Sequence, residues 1–552
     1  MLDGFTPWPD DLARRYTERG LWQDRTLGDL LVQCAQRWPD KVALVAGETR
    51  QTYADLDRIT ARLGAGWLAR GIRPLDRVVL QLPNTPEFVH HYLALVRIGA
   101  IPVMALRAHR HTEIRHFISA SAAVAYVVPD VAHKFDYRAM AADMQQAFAS
   151  LRHVVVVGQP LAGQEAHASL LDAVPEAELP SLLTRARAGF GPGDVATLLL
   201  SGGTTSVSKL IPRTHRDYLL NARLCGEAAG FDAQTVFMAI LPLGHNYNLA
   251  SPGLLGTFYH GGTVVLAPST DAADIFALVA RERVSVIAAV VPLIAAWMNA
   301  DEPERHDLSS LRVVQNGGAR LAPELRQRLI ERLGCTPQEI YGTAEGLINM
   351  TRLDDPPEIL LHSSGRPVCE DDEIKVVDDN GHELPDGELG ELVTRGPYTI
   401  RGYYQAPEKN REAFTPDGFY RMGDLVRKRG RDIYTEGRRK DLINRGGEKI
   451  SCEEVEDLIL QHPAVKSVSL VAMPDAVFGE RACAYVILKA GAALDFAGLI
   501  DFLRAKHIAS FKLPERLELV TQFPLSPVGK ILKSQLRNEI AAKLAQEQGT
   551  HA

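Results

Sequence analysis

Arg77-Val-Val-Leu-Gln-Leu-Pro-Asn-Thr-Pro86 decides how the first half of the chain is built. Residues 77–82 are an apolar run of strand length, Pro83-Asn84 makes a turn, and Thr85-Pro86 supplies a helix N-cap with a proline in the first turn. The amphipathic run 87–98 ends at Gly99, and Ile101-Pro-Val103 begins the next apolar segment. A strand, a helix and a second strand in this order imply parallel pairing, with the helix crossing one face of the sheet. Further strands are predicted at 123–128, 154–157, 195–200, 236–241, 263–266, 284–291 and 311–314. The expected class is α/β, with parallel-rich layered subdomains that hold ligands in the loops after strand ends.

Beyond about residue 370 the rhythm changes. Residues 374–377 and 390–394, joined through Asp378-Asp-Asn-Gly381, predict antiparallel strands and hence a β subdomain. A charged, glycine-containing junction covers 437–449, and after it come a helix at 455–460, strands at 465–473 and 484–488, and a helix at 496–506. This tail of about 110 residues has the size of a domain. The expected division is a large core, 1–440, hinged to a small α+β domain, 441–552. Residues 159–193, rich in Ala, Pro and Gly, read as a loose connector.

The 552 residues carry 61 Lys+Arg against 68 Asp+Glu, a formal net charge of −7, with no dense basic block, so nucleic acid is not an expected partner. The hydrophobic share of 46% and charged share of 23% belong to a globular chain. The longest apolar stretch, 284–298, is broken by Pro292 and falls short of the roughly 20 residues of a spanning helix, so no membrane partner is expected. Met1-Leu-Asp-Gly4 does not begin a secretory signal, which makes the cytoplasm the expected location. The six cysteines are dispersed without a CxxC pair, which argues against a zinc site or a disulfide framework.

Chemistry concentrates first in Ser201-Gly202-Gly203-Thr204-Thr205-Ser206-Val207-Ser208-Lys209, directly after the strand predicted at 195–200. Hydroxyls, small residues and backbone N–H groups in such a turn can line a phosphate, and the lysine adds positive charge. A flexible surface loop is the alternative reading of the same composition. No Lys-Ser/Thr pair opens a helix here, so the segment is not a P-loop.

This loop is followed by Arg213-Thr-His215, Tyr341-Gly-Thr-Ala-Glu-Gly346 after a strand expected to end at Ile340, Gly418-Phe-Tyr-Arg-Met-Gly-Asp424, Gly437-Arg438 to Gly447, and Pro527-Val-Gly-Lys530. In this order, over nearly the whole chain, the motifs resemble the adenylate-forming superfamily of acyl-CoA synthetases, luciferases and peptide-synthetase adenylation domains. Gly244-His245-Asn246-Tyr247-Asn248-Leu249-Ala250-Ser251, Thr351-Arg-Leu-Asp-Asp355 and Phe5-Thr-Pro-Trp-Pro9 further resemble the stand-alone aryl-acid AMP ligases of siderophore assembly. The resemblance implies two half-reactions, formation of an aryl-adenylate from ATP and transfer of the aryl group to the thiol of a phosphopantetheinylated aryl carrier protein. It implies ATP and Mg²⁺ as cofactors. Lys530, His245 and Glu345 would be catalytic, with Glu345 also the metal ligand. Ser201, Gly202, Gly203, Thr204, Thr205, Lys209, Gly317, Gly318, Ala319, Tyr341, Gly342, Thr343, Asp424 and Arg438 would bind ATP. Asp441 would be the hinge, and Arg445, Gly446, Gly447 and Lys449 would face the pantetheine. No carrier domain is expected after residue 540, so the thiol would come from a separate protein.

Asn246, Tyr247, Ser251, Gln315, Gly317, Ile340 and Ile348 would line the acid pocket by the same resemblance. A buried amide rewards a ring hydroxyl that pairs with it and penalises a ring without one. Ser251 favours 2,3-dihydroxybenzoate, whereas Ile348 leans towards salicylate. An aryl-CoA ligase and a non-catalytic ATP-binding protein are the alternative functions. The second is motivated by Thr205-Ser206-Val207-Ser208-Lys209, which stands where the family usually has Thr-Thr-Gly-x-Pro-Lys.

Overall fold

The computed structural model describes residues 1–201, 208–438, 442–445, 448–475, 477–506, 508–526 and 529–549. Among them the strands form four main sheets and a two-stranded hairpin. The α/β expectation holds. A seven-stranded sheet runs in the order Leu210–Thr214, Val195–Leu200, Ile101–Met104, Arg77–Leu80, Ala125–Pro129, His153–Val157, Glu165–Ala166. All of its pairings are parallel except that between Val195–Leu200 and Leu210–Thr214. The helix Pro86–Arg97, with proline in its first turn, makes the crossover between Arg77–Leu80 and Ile101–Met104.

The nine-stranded sheet has a parallel centre, Thr336–Thr343, Val313–Gly317, Val286–Ala289, Val236–Ala239, Thr263–Leu266 and Val42–Ala46, with antiparallel strands added at both edges. Its register decides the site. Gln315 stands opposite Gln338, Gly317 opposite Ile340, Ile340 opposite Met350 and Gly342 opposite Ile348. Directly opposed residues share a face, so Gln315, Gly317, Ile340 and Ile348 all point to one side of the sheet.

A four-stranded antiparallel sheet, Glu373–Val377, Leu389–Arg395, Tyr420–Arg429 and Asp432–Arg438, supplies the expected β subdomain. Residues 443–549 build a sheet of their own around the long hairpin Val465–Asp475 and Gly479–Leu488, with the helices Cys452–Leu460, Phe496–Ala505 and Lys533–Gly549. A separate core of Ile443, Ile450, Val455, Ile459, Leu470, Val486, Leu499 and Leu503 holds this small domain together. No helix among the described residues is long and apolar enough to cross a membrane.

The structure corrects three local readings. Residues 159–193 are not a loose connector, because the helices His167–Leu171 and Leu179–Arg187 lie within them and bury Leu170, Leu179 and Ala186. The strand predicted at 284–291 is only Val286–Ala289, since the helix Val291–Trp297, with Pro292 in its first turn, follows at once and is apolar throughout, so the two read as one apolar run. The strand expected to end at Ile340 continues as Thr336–Thr343 and returns as Gly346–Met350.

Candidate active site

Three chain segments meet at the ends of these strands. The first begins where Val195–Leu200 ends. Ser201 N–H donates to the Lys209 carbonyl at 3.0 Å, and Lys209 N–H donates to Ser201 Oγ at 2.9 Å, which closes the neck of the candidate phosphate loop. Gly202, Gly203, Thr204 and Thr205 lie outside the described residues. The Lys209 ammonium sits 4.3 Å from the centroid of the Tyr403 ring.

The second segment is the hairpin tip between Thr336–Thr343 and Gly346–Met350. Glu345 occupies this tip, its carbonyl accepting the Ile400 N–H at 2.8 Å and its Oε1 accepting the Tyr403 hydroxyl at 2.8 Å. Gly346 allows the close approach, because its φ is +135° and a Cβ there would lie 2.3 Å from Thr399 Cα. Thr343 Oγ1 donates to the Gly346 carbonyl at 3.0 Å, and Arg213 Nη1 donates to the Ala344 carbonyl at 3.1 Å. Tyr403 thus joins Lys209 to Glu345, with the Tyr420 hydroxyl 3.2 Å from its own. Burial and the adjacent Glu345 carboxylate push the ionisation of Tyr403 far above the ordinary phenol range. Tyr341, in the strand leading to the tip, donates its hydroxyl to Asp424 Oδ2 at 2.9 Å. Asp424 is a nearly buried carboxylate on the strand Tyr420–Arg429.

The third segment is the short helix Asn246–Ala250. His245 caps it, with Nδ1 accepting the Tyr247 N–H at 3.3 Å, so its proton stands on Nε2. Burial, then the positive charge of Lys530, holds the His245 imidazole down at about 4, which leaves it neutral near pH 7. Asn246 and Ser251 are buried and linked by an Nδ2 to Oγ hydrogen bond of 3.2 Å. The Tyr247 ring lies against Gly317. Gln315 donates Nε2 to Gln338 Oε1 at 2.9 Å, and its own Oε1 is buried without a hydrogen-bond partner. The δ-methyl of Ile348 packs over Gly342.

Lys530 enters this cleft from the small domain. Ser526 N–H donates to the Lys530 carbonyl at 2.7 Å, and Lys530 N–H donates to Ser526 Oγ at 3.0 Å, which makes a tight loop. Gly318 has φ +89°, and a Cβ there would sit 3.1 Å from Lys530 Cε and 3.9 Å from Nζ. The glycine therefore leaves room for the lysine stem as well as adopting a backbone that other residues resist. Arg320, two residues on, pairs with Asp457 and approaches Glu453 Oε2 at 3.9 Å, both on the small-domain helix Cys452–Leu460. Burial pushes the Glu453 carboxyl up to about 7 against the Arg320 and Lys533 cations, which pull it down.

The structure thus brings together Lys530, His245, Gly317 and Gly318, with Ala319 in the same turn, and the group expected to line an acid pocket, Asn246, Tyr247, Ser251, Gln315, Ile340 and Ile348. Lys209 and Glu345 form a second group, tied through Tyr403. Asp441, Gly446 and Gly447 lie outside the described residues, as do the side chains of Arg438 and Lys449. Arg445 pairs with Glu515 at 2.6 Å inside the small domain. Sequence reasoning missed Tyr403, Tyr218, Asn221 and Arg320. Asn221 was the detectable one, since an amide on the buried face of His215–Ala228 demands partners.

A two-domain α/β fold with a lysine carried across into a glycine-edged cleft, a pinned loop after a strand and a carboxylate at a hairpin tip is the framework of an adenylate-forming enzyme. The sequence matches the AMP-binding enzyme family over residues 31–404 and the AMP-binding enzyme C-terminal domain over 454–530, and the chain belongs to that family. It is 46% identical over 548 residues to a 2,3-dihydroxybenzoate-AMP ligase of Bacillus subtilis (strain 168), covering 99% of each chain. It is 42% identical to a salicyl-AMP ligase / salicyl-S-ArCP synthetase of Mycobacterium tuberculosis, covering 96% of this chain and 94% of the relative. The structure of the anthranilate CoA ligase AuaEII in complex with anthranoyl-AMP superimposes with a TM-score of 0.86 at 26% identity, covering 95% of this chain and 98% of the other.

Proposed function

We propose that the protein activates an aryl acid, 2,3-dihydroxybenzoate in the first place, with ATP, and transfers the aryl group to the phosphopantetheine thiol of a separate aryl carrier protein. The observation that carries this reading is the Lys530 side chain against Gly318, close enough to His245 to depress its basicity. A cation from the small domain then stands where an acid held by Tyr247 and Gly317 would meet the nucleotide.

In the first half-reaction a carboxylate oxygen of the acid forms a bond to the α-phosphorus, and the bond to the β-phosphate oxygen breaks with pyrophosphate taking the electron pair. Lys530 stabilises negative charge on the carboxylate and the α-phosphate during the exchange. His245, neutral and with its proton on Nε2, adds a donor without adding charge. The residues present fit the nucleotide, because Asp424, a buried carboxylate oriented by Tyr341, offers acceptors for ribose hydroxyls. Ser201 and Lys209 frame the phosphate loop. Glu345 suits Mg²⁺, a hard cation that takes oxygen ligands, and the ion would neutralise phosphate charge there. In the second half-reaction the thiol loses its proton to solvent, its sulfur bonds to the acyl carbon, and the acyl carbon–oxygen bond to the phosphate breaks with AMP taking the electron pair. We assign residues 441–552 as the mobile part, with Asp441 as the hinge. Rotation would withdraw Lys530 and turn Arg445, Gly446, Gly447 and Lys449 towards the pantetheine.

Ser251 supports a 3-hydroxyl partner and so 2,3-dihydroxybenzoate. The Ile348 methyl over Gly342 narrows the pocket and supports salicylate as the second reading. ATP–pyrophosphate exchange across 2,3-dihydroxybenzoate, salicylate and benzoate tests both. The highest kcat/KM is expected for the dihydroxy acid, salicylate in first place would select the second reading, and exchange with none of them refutes the function.

A further inference from the structure

The helix His215–Ala228 carries Tyr218, Asn221 and Cys225 at spacings of three and four, so the three share one buried face. That face meets the acid-pocket helix through hydrogen bonds. The Tyr218 hydroxyl donates to Asn246 Oδ1 at 2.8 Å, and Asn246 Nδ2 donates to Ser251 Oγ at 3.2 Å. Asn221 Nδ2 donates to the Ala250 carbonyl at 2.6 Å and to Ser251 Oγ at 3.1 Å. A carbonyl only accepts, so the Ala250 contact fixes which end of Asn221 faces Ser251.

The orientation of the Asn246 amide follows from the phenol. Among the described residues, Asn246 Oδ1 is the acceptor that the Tyr218 hydroxyl reaches, and reversing the amide would strand a buried O–H. The Arg213 guanidinium, 4.6 Å from the Tyr218 ring centroid, holds that ring in place. With Oδ1 committed to Tyr218 and one N–H committed to Ser251, the second N–H of Asn246 has no acceptor among the described residues and remains for a ligand.

We propose that Tyr218 is a positioning residue that holds the Asn246 amide with an N–H towards the aryl acid, so that the pocket selects an ortho substituent able to accept a hydrogen bond and discriminates against an ortho amine. This rests on the aryl-acid reading above and deepens it. An ortho hydroxyl oxygen accepts from Asn246 while its own hydrogen bonds the neighbouring carboxylate. An arylamine delocalises its lone pair into the ring and turns an N–H towards Asn246, where donor meets donor. Removing the Tyr218 hydroxyl frees the amide to turn and offer its oxygen instead.

The test is ATP–pyrophosphate exchange by the full chain with salicylate, 2-aminobenzoate and benzoate. In Tyr218→Phe the salicylate-to-aminobenzoate ratio of kcat/KM is expected to fall about ten-fold, mainly through the KM for salicylate, while benzoate kinetics and the KM for ATP stay within about two-fold. An unchanged ratio, or benzoate falling in step with salicylate, overturns the assignment. If Tyr218→Phe does not yield folded protein, Asn246→Asp replaces it. A carboxylate there offers acceptors only, so a retained preference for salicylate overturns the assignment, and its loss supports it. A wild type that exchanges with no hydroxybenzoate overturns the proposed function and this inference together, whereas an active wild type with an unmoved ratio overturns the inference alone.

Discussion

Replacing Gly317 by alanine tests the wall of the proposed acid pocket. Gly317 ends the strand Val313–Gly317 outside the left-handed region, so the backbone itself tolerates an alanine. The added Cβ would lie 2.8, 2.9 and 3.2 Å from Cε1, Cζ and Cδ1 of the Tyr247 ring. Carbon atoms rest about 3.5–4.0 Å apart, so the ring has to retreat by roughly 0.7–1 Å. Tyr247 is 9% exposed and has little space to retreat into. Overpacking of this kind costs about 1–3 kcal/mol, which corresponds to about a 5- to 150-fold loss in kcat/KM for the acid if the ring moves into the pocket. The methyl points at Tyr247, so the KM for ATP is expected to change much less. Pyrophosphate exchange with acid and then ATP as the varied substrate separates the two effects. A second substitution, Tyr247→Leu, removes the clashing atoms and is expected to recover part of the loss, a coupling that a double-mutant cycle measures. Undiminished acid kinetics, or a loss carried by ATP alone, would refute the placement of Tyr247 and Gly317 around the acid.

Lys530→Ala is expected to slow adenylate formation about 100-fold or more, the scale of losing one charge-stabilising donor, while leaving transfer from a supplied aryl-adenylate measurable. Equal loss of both steps in single-turnover assays would contradict the alternation of the small domain. Arg320→Ala removes a partly exposed link to Asp457 and Glu453, for which about 1 kcal/mol, or a factor of about five in closing, is expected. Its signature is slower adenylation with unaltered thioester formation, and equal slowing of both would argue against a closing contact. Burial holds His90, His109 and His245 down at about 4 and His215 at about 3. The unfolded chain therefore binds more protons between those values and about 6.5, and stability is lost as the pH falls through that window. Asp372 and Glu453, each pushed up to about 7 by burial, work the other way, because their extra protons are held by the folded state. Four histidines against these two carboxylates give a melting temperature that drops from pH 6.5 towards 4, and a flat or rising profile would count against neutral buried imidazoles.

The layered α/β framework was legible because period and punctuation agreed. Thr85-Pro86 opens a helix, and the strands Val195–Leu200 and Thr263–Leu266 fall where their apolar runs placed them. Where a strand runs straight into an all-apolar helix at Val291, periodicity has no contrast to register and the boundary is lost. The helices within 159–193 escaped because they are short and one has a proline in its first turn, so their composition reads as loop. Motif order gave the residues that would touch ligands. It could not give Tyr403, 58 residues from Glu345, or Tyr218, 28 from Asn246, because their importance arises only when the strand ends converge.

That convergence also bears on why one cleft would need two arrangements of the small domain. Lys530 and Arg445 lie on the same domain, yet only the lysine stem reaches Gly318, while Arg445 is occupied by Glu515 and stacks 4.0 Å from the Phe478 ring centroid. On the proposed mechanism, a lysine that stabilises attack on the α-phosphate would occupy the space from which a thiol would reach the acyl carbon. A second cation fixed inside the small domain would then serve that thiol only once the domain had turned. The small domain has its own core and meets the large one through contacts such as Arg320 with Asp457 and Ser451 Oγ with the Glu436 carbonyl at 2.6 Å. On the proposed function, side-chain contacts of this kind would be weak enough to be exchanged in each cycle and would favour closure while ATP and acid are bound.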